Sequence, residues 1–274
     1  MEFRFVHFYP DLMSLYGSYA NLSVLQRLLE QLGHTVTVTP LAPGETASLA
    51  GADLLFMGAG TERSQKAAME SLAPLAGEIR SATADGMPVF FAGTAMELLG
   101  AAITDSSGAS FDGIGLADFT SVQGTHRFVE DVYGTTDLYP EAVVGFMNKC
   151  SVIHGVQTPL LTSLAMGFGN EGPCGSEGFH QANVFASELT GPLLVKNPRM
   201  LETIASVLIR TTKWAREKYG DLPLLCSGGV ASNTLLRRRL EGLGAVFAPP
   251  KYSVDNALGV AILARRALER GTRE

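Results

Sequence analysis

The residues that could act as nucleophiles, bases or metal ligands are few and lie far apart in this sequence. The cysteines are Cys150, Cys174 and Cys226, and the histidines are His7, His34, His126, His154 and His180. The cysteines lack the paired spacing of a zinc site or a disulfide framework, and no His-x-x-x-His occurs. Cys174 lies in a turn-like loop, which favours a loop thiol without a catalytic role. Cys226 ends an apolar strand, which favours a core residue. Local spacing therefore predicts no metal site.

Any site must be positioned by the regular elements, and these alternate between apolar runs and amphipathic stretches. Strands are predicted at 3–8, 35–39, 53–57 and 88–91, and helices at 21–32 and 64–83, with a short helix ending at residue 99. Asn21 is expected to cap the first helix and Gly33 to end it. This alternation predicts an α/β fold, a mostly parallel sheet with helices on both faces. In such a sheet, functional residues gather at the carboxyl ends of the strands.

The pattern changes between residues 111 and 188, where short β-like runs are separated by Gly, Asn and Pro. The runs are 126–132, 143–148 and 183–188. They predict antiparallel strands and hairpins at one edge of the sheet.

After Pro198 the pattern predicts a small C-terminal α/β segment. Its strands are expected at 222–226 and 245–247, and its later helices at 231–240 and 255–270. The predicted domains are residues 1–200 and 201–274. Because the second buries little core alone, it is expected to pack onto the first.

Six short segments carry motifs in a fixed order along the first domain. They are the opening loop from His7 to Gly17 with Asn21 behind it, Gly58-Ala59-Gly60 with Gln65, and the segments 93–100, 113–120, 145–148 and 191–198. Together they resemble the GatD and CobQ branch of the class I glutamine amidotransferases. The resemblance implies a flavodoxin-like fold and the release of ammonia from glutamine for a ligase. GatD proteins work with the ligase MurT to amidate lipid II, which implies a MurT-like partner.

The same resemblance locates the catalytic positions, and the residues there lack the required chemistry. The family needs a cysteine thiolate at a strand-to-helix turn and a histidine that takes and returns the proton. The nucleophile position falls on Gly93, and the histidine position falls on Thr190. Ser18 stands where an acidic residue is common, and Glu97 stands where the family has a glutamine-contacting residue. Glutaminase activity is therefore expected to be lost.

Part of the substrate pocket is retained in the sequence. Gly58 and Gly60 match the loop whose amides form the family's oxyanion hole, and Arg127 matches an arginine that helps to hold glutamine. Without a nucleophile they are expected to bind an anion or a carboxylate at most. A simpler interpretation stays open, in which the glycines permit a tight turn and Arg127 is a surface residue. Thr94 adjoins the lost nucleophile, but its hydroxyl needs a neighbouring base to be activated.

A second resemblance covers residues 201–266. The segment 224–233, Leu-Leu-Cys-Ser-Gly-Gly-Val-Ala-Ser-Asn, followed by Asp255-Asn256-Ala257, is similar to the C-terminal part of TsaD, which makes threonylcarbamoyladenosine on tRNA. By that resemblance, Gly228, Gly229 and Asn233 are candidates for binding a phosphate at a helix N-terminus. The histidines that complete the TsaD metal site have no counterparts here. Asp255 is therefore expected to cap a helix instead of binding a metal.

Composition narrows the classes of partner. The chain has 21 basic and 27 acidic residues, a net charge of −6 and an apolar fraction of 46%, which is typical of an ordered protein that binds no nucleic acid. The basic run Arg237-Arg238-Arg239 falls in a helical pattern and is expected to face solvent. No apolar run is long enough to span a membrane, and no signal peptide is recognised, so a cytoplasmic protein is expected.

These observations favour a degenerate GatD/CobQ-type domain that carries a TsaD-like segment and acts as a non-catalytic binding or scaffold subunit of an amidating ligase system. Glutamine or another small carboxylate is the expected ligand, and no cofactor is expected. Two alternatives stay open, namely an active glutaminase with a displaced site and a nucleotide-binding remnant of TsaD. A glutaminase assay tests the first alternative, and nucleotide titration tests the second.

Overall fold

The computed structural model of the chain describes residues 2–31, 33–45, 49, 52–201, 203, 204, 206, 224–226 and 245–247. The chain divides into two compact units. The large unit consists of Phe3–Leu22 and Thr37–Met200, and the small unit consists of Met1–Glu2, Ser23–Val36 and Leu201–Glu274. All described residues of the candidate site belong to the large unit.

The regular elements have the following bounds. The strands are β1 (Glu2–Phe8), β2 (Thr35–Leu41), β3 (Leu54–Met57), β4 (Val89–Ala92), β5 (Ala102–Thr104), β6 (Ser110–Asp112), β7 (Thr120–Thr136), β8 (Tyr139–His154), β9 (Ser163–Met166), β10 (Phe179–Gln181), β11 (Val184–Ser187), β12 (Leu189–Thr190), β13 (Leu224–Cys226) and β14 (Ala245–Phe247). The α-helices are α1 (Tyr19–Gln31), α2 (Glu62–Leu72), α3 (Ala76–Ala84) and α4 (Leu193–Lys196), and 3₁₀ helices cover Ala73–Leu75 and Gly93–Leu99.

The main sheet is mostly parallel, which confirms the predicted α/β class. Its strand order is β10-β11-β4-β3-β1-β2. β1 is parallel to β3, β3 to β4, and β4 to β11, whereas β10 is antiparallel to β11. All residues of β3 and β4 are buried, as expected for parallel strands covered on both faces. The carboxyl ends of β3, β4 and β11 lie side by side, and the segments that follow them build the candidate site.

The segment 183–188 contradicts the expectation of an antiparallel edge strand. Its strand β11 is parallel to β4 and lies between β4 and β10, inside the sheet. The chain leaves the main sheet after β4 and returns to it only at β10. No local sequence pattern predicts the pairing of β11 with β4, because these two strands are far apart in sequence.

The strands between these two passes form a second sheet, with the order β12-β8-β7-β5-β6 and with β9 paired to β7. Its centre is the antiparallel hairpin of β7 and β8. The expected antiparallel strands at 126–132 and 143–148 are thus confirmed, but they build their own sheet and not an edge of the main one. From Met147 to His154 every second residue of β8 is buried, so one face of this sheet packs on the core.

Two helix predictions need correction. The predicted helix at 64–83 is interrupted between α2 and α3 by a 3₁₀ turn, where Pro74 has no N–H for a continuous helix. Asn21 does not cap α1, because the helix begins at Tyr19 and Asn21 lies inside it. Gly33 ends α1 as predicted, with φ +81° and its N–H donated to the carbonyl of Glu30.

The predicted C-terminal strands are present in the small unit as β13 and β14, which pair in parallel. The predicted helices at 231–240 and 255–270 lie outside the described residues. The domain bounds and the packing of the C-terminal segment onto the first domain stay predictions. Within the described ranges, no helix is long and apolar enough to cross a membrane.

Candidate functional site

The turn after β4 is the position that the sequence assigns to the nucleophile. β4 ends at Ala92, which pairs with Ser187 at the end of β11. Gly93 follows with φ +65° and opens the 3₁₀ helix that ends at Leu99. Glycine adopts this left-handed conformation freely, and other residues adopt it only at a cost. The backbone therefore makes a sharp strand-to-helix turn that carries no side chain.

The space beside Gly93 is filled by Ala59, in the loop after β3. A Cβ atom added at Gly93 would lie 2.5 Å from the Cβ and 3.1 Å from the Cα of Ala59. Ala59 is itself buried. Any side chain at position 93 would therefore require this loop to move.

Positions 58 and 60 have no room for a side chain, because the opening loop packs directly on Gly58 and Gly60. A Cβ atom at Gly58 would lie 2.2 Å from the Oγ of Ser18 and 2.6 Å from the carbonyl oxygen of Met13. A Cβ atom at Gly60 would lie 2.3 Å from the Sδ of Met13. Close packing of two loops thus accounts for both glycines.

The amides of this loop are bonded to side-chain hydroxyls. The N–H of Ala59 donates to the Oγ of Ser18 at 3.1 Å, and the N–H of Gly60 donates to the Oγ1 of Thr94 at 2.9 Å. The hydroxyl of Thr94 in turn donates to the carbonyl of Gly60 at 3.0 Å. An incoming anion would have to displace these hydroxyls before it could bind the amides of Ala59 and Gly60.

Glu97 lies one turn beyond Gly93 and is fully enclosed. It is 1% exposed. Its carboxyl group accepts hydrogen bonds from the hydroxyl of Ser121, from that of Ser151 at 3.1 Å and from the Nε2 of Gln123 at 3.4 Å. Burial raises the pKa of Glu97, although these hydrogen bonds act to lower it. The carboxyl group is therefore engaged with the protein interior.

Three further charged side chains adjoin Glu97 in the core. Lys149 contacts the carboxyl group of Glu188 and donates to the carbonyl of Gly169 at 3.0 Å. Ser151 lies between the carboxyl groups of Glu97 and Glu188, at 3.1 Å and 3.0 Å. Glu177 accepts from the backbone N–H of Glu188 at 2.7 Å. We call Glu97, Lys149, Glu177 and Glu188 the buried charge cluster.

Burial dominates the electrostatics of this cluster. Each of its four side chains is at most 1% exposed. Burial raises the pKa of Glu177 to about 7 and the pKa of Glu188 to about 8, although the Lys149 ammonium group opposes both shifts. Of these four residues, only Glu97 was predicted from the sequence. In the structure, the alternation of buried residues along β8 places Lys149 on the same face as Met147.

Thr190 and Asn21 organise the segment that follows β11. Thr190 lies in β12 and donates its hydroxyl to the carbonyl of Phe146 on β8 at 3.0 Å. Asn21 donates to the carbonyl of Gly191 at 3.3 Å and accepts from the N–H of Leu194 at 2.9 Å. Asn21 therefore anchors the Gly-Pro-Leu-Leu turn, a role that the sequence analysis did not assign to it.

Arg127 lies on the surface in an ion pair. Its guanidinium group is 2.5 Å from the carboxylate of Glu62 and donates to the Oδ1 of Asn148 at 3.0 Å. Asn148 donates to the hydroxyl of Tyr16 at 2.7 Å. A carboxylate ligand at Arg127 would have to compete with Glu62.

The described cysteines differ in their surroundings. Cys150 donates its thiol to Glu62 at 3.3 Å, and burial together with this hydrogen bond raises its pKa to about 12. The Cys150 thiol is therefore protonated at neutral pH and is a poor nucleophile. Cys174 is exposed in a turn with φ +54°.

The remaining predicted site residues, Gly228, Gly229, Asn233 and Asp255, lie outside the described residues. Among the residues that the structure does describe, no group of three or more His, Cys, Asp and Glu side chains is arranged to hold a metal ion.

Comparison with known proteins agrees with both resemblances. The family model for the CobB/CobQ-like glutamine amidotransferase domain matches residues 4–198. Subunit GatD of the glutamine-hydrolysing lipid II isoglutaminyl synthase of Staphylococcus aureus is 28% identical over 200 residues, covering 72% of this chain and 80% of the relative. The corresponding Streptococcus pneumoniae subunit is 27% identical over 224 residues, covering 80% and 83%.

The C-terminal resemblance is more local. The tRNA N6-adenosine threonylcarbamoyltransferase of Chloroherpeton thalassium is 41% identical over 76 residues, which cover 26% of this chain and 22% of that protein. The predicted likeness to TsaD is thus confirmed for the C-terminal segment alone.

Proposed function

Since the chain belongs to the family of CobB/CobQ-like glutamine amidotransferase domains, we propose that it is a non-catalytic member, which serves as a binding or scaffold subunit of an amidating ligase system. Its proposed partner is a MurT-like ligase, because its relatives from S. aureus and S. pneumoniae are subunits of lipid II isoglutaminyl synthase.

The observation that carries the proposal is the packing at Gly93. The turn has the left-handed geometry that would expose a nucleophile, but Ala59 fills the space in which that side chain would begin. A single Gly to Cys change is therefore not expected to recreate an attacking thiol, because the Cβ of Ala59 lies where the new side chain would begin.

The surrounding groups support the same conclusion. Thr190 lacks a group that could take up a proton near neutral pH, and its hydroxyl is bonded to Phe146. The amides of Ala59 and Gly60 are bonded to Ser18 and Thr94. Losing triad members typically removes about 10⁴–10⁶ of the rate, and what remains depends on oxyanion-hole amides that are here already bonded.

A displaced glutaminase site finds little support among the described residues. Thr94 is 5% exposed, and its hydroxyl is bonded to Gly60 on both its donor and its acceptor side. The Cys150 thiol has a raised pKa, which removes its nucleophilic form at neutral pH.

The test is an assay of glutamate and ammonia release by the purified chain, alone and with the co-expressed ligase, using the S. aureus relative as a positive control. We expect release at background level in both cases and co-purification of the ligase. Ammonia release would refute the loss of catalysis. The variants Thr94→Ala, Cys150→Ala and Cys174→Ala would then identify the displaced nucleophile. Inactivity without binding to the ligase would refute the proposed partner.

A further inference from the structure

The buried charge cluster has more carboxyl groups than positive charges to balance them. Glu97, Glu177 and Glu188 face one ammonium group, that of Lys149, and all four are at most 1% exposed. If all were ionised, two uncompensated negative charges would lie in the core, where the loss of hydration strongly disfavours an unpaired ion. Protons are the simplest neutralising charges for such a cluster.

The hydrogen bonds lead to the same conclusion independently. Ser151 has one hydroxyl proton, but its Oγ is within hydrogen-bond distance of both Glu97 and Glu188. It can donate a full hydrogen bond to only one of them, so a proton on the other carboxyl group would complete the second bond. The arrangement around Ser151 therefore favours a protonated acid in this pair.

The cluster joins segments of the large unit that are far apart in sequence. Glu97 comes from the 3₁₀ helix after β4, Lys149 and Ser151 from β8, and Glu188 from the link between β11 and β12. Glu177 holds that link through the N–H of Glu188. β12 carries Thr190, and β12 is the strand that pairs the end of this link with β8. The cluster thus connects the second sheet to the segments at the carboxyl edge of the main sheet.

We propose that the buried charge cluster is a proton-operated clasp, which holds the link between β11 and β12 against β8 while its surplus carboxyl groups are protonated and releases it when they ionise. Among the described residues, the charged groups that act on Glu188 are Lys149, Glu97 and Glu177. The protons belong to the cluster as a whole and not to one residue.

The direction of the pH effect follows from the burial of the carboxyl groups. Their pKa values are raised above those of exposed glutamates, so the closed state holds more protons than the open state. The clasp is therefore most stable in mild acid, loses stability as the pH rises above the ordinary range of an exposed glutamate, and is weakest once the pH has passed the pKa values of Glu177 and Glu188, about 7 and about 8. Below those values, each proton released on opening raises the opening equilibrium constant about tenfold per pH unit.

Hydrogen exchange of the full chain tests the clasp. Protection factors of the amides in 145–151 and 184–190 would be measured between about pH 6 and about pH 8.5, corrected for the intrinsic exchange rate. We expect protection there to fall by about tenfold or more per pH unit up to about pH 7 and to level off above about pH 8. Glu97→Gln, which removes one titrating group, should make that slope shallower by about one proton, whereas Glu130→Gln on the exposed part of β7 should leave it unchanged. A slope of zero in the wild-type chain would overturn the proposal, as would an unchanged slope in Glu97→Gln.

Infrared spectroscopy provides a second measurement that needs no variant. A protonated carboxylic acid has a carbonyl stretch that is separated from the carboxylate and amide bands. We expect the unmodified protein to show this band near neutral pH and to lose it reversibly on alkaline titration. Absence of the band near neutral pH would refute the proposal even if all variants failed to fold.

Discussion

The packing of Gly93 against Ala59 makes a quantitative prediction about the stability of the variant Gly93→Ala. The new residue would have to hold φ +65°, which costs about 1–2 kcal/mol for a residue with a Cβ atom. Its Cβ would also lie 2.5 Å from that of Ala59, and overpacking of this kind costs about 1–3 kcal/mol. The free energy of unfolding should therefore fall by about 2–5 kcal/mol.

Two further variants separate these contributions. Gly108 has φ +85° and nothing within 4 Å of an added Cβ, so Gly108→Ala should cost only the backbone part, about 1–2 kcal/mol. In an Ala59→Gly background the 2.5 Å contact disappears and only the 3.1 Å approach to the Cα of residue 59 is left, so Gly93→Ala should cost about 1–3 kcal/mol less there than in the wild-type chain. Urea denaturation followed by circular dichroism measures all four corners of the cycle. Additive effects within about 0.5 kcal/mol, or a Gly93→Ala variant as stable as Gly108→Ala, would refute the reasoning.

The same overlap predicts the reactivity of an engineered thiol. Gly93→Cys with Thr190→His should react poorly with a diazoketone analogue of glutamine, because Ala59 stands where the side chain begins. Adding Ala59→Gly should increase the labelling, as measured by intact mass spectrometry. Equal labelling with and without Ala59→Gly would mean that Ala59 does not obstruct the turn.

Two other contacts give predictions with matched controls. Asn21→Ala should lower the free energy of unfolding by about 2–3 kcal/mol, since the buried N–H of Leu194 and carbonyl of Gly191 lose their partner. The control Asn183→Ala removes one exposed hydrogen bond to Gly86 and should cost under about 1 kcal/mol. Equal losses for the two variants in urea denaturation would contradict the anchoring role. Lys149→Met should destabilise the chain by about 3–5 kcal/mol near neutral pH and by less near about pH 5, where the carboxyl groups it leaves behind are protonated. Lys66→Met, which breaks an exposed ion pair, should leave stability unchanged, and a loss in Lys149→Met that does not depend on pH would speak against protonation of the cluster.

The sequence by itself determined the family and the parallel sheet, and it predicted which residues stand at the catalytic positions. Short motifs such as Gly58-Ala59-Gly60 and Gly191-Pro192 indicate local turns, because the conformation of a turn depends on residues that are adjacent in sequence. The strands β1, β3 and β4 were also predictable from local sequence, because continuous apolar runs are typical of strands buried on both faces. The assignment of Gly93 and Thr190 to the catalytic positions is a prediction from such motifs alone.

Only the tertiary structure decided what surrounds those positions. Ala59 is a small residue in a glycine-rich loop, and nothing local indicates that it fills the space beside Gly93. The hydroxyls of Ser18 and Thr94, which come from two separate segments, accept hydrogen bonds from the amides of the loop after β3. Lys149 in β8 pairs with Glu188 in the link between β11 and β12, although each would look improbable as a core residue in its own sequence context. Such contacts depend on strand order and on the long return from β4 to β11, which the periodicity of single segments does not encode.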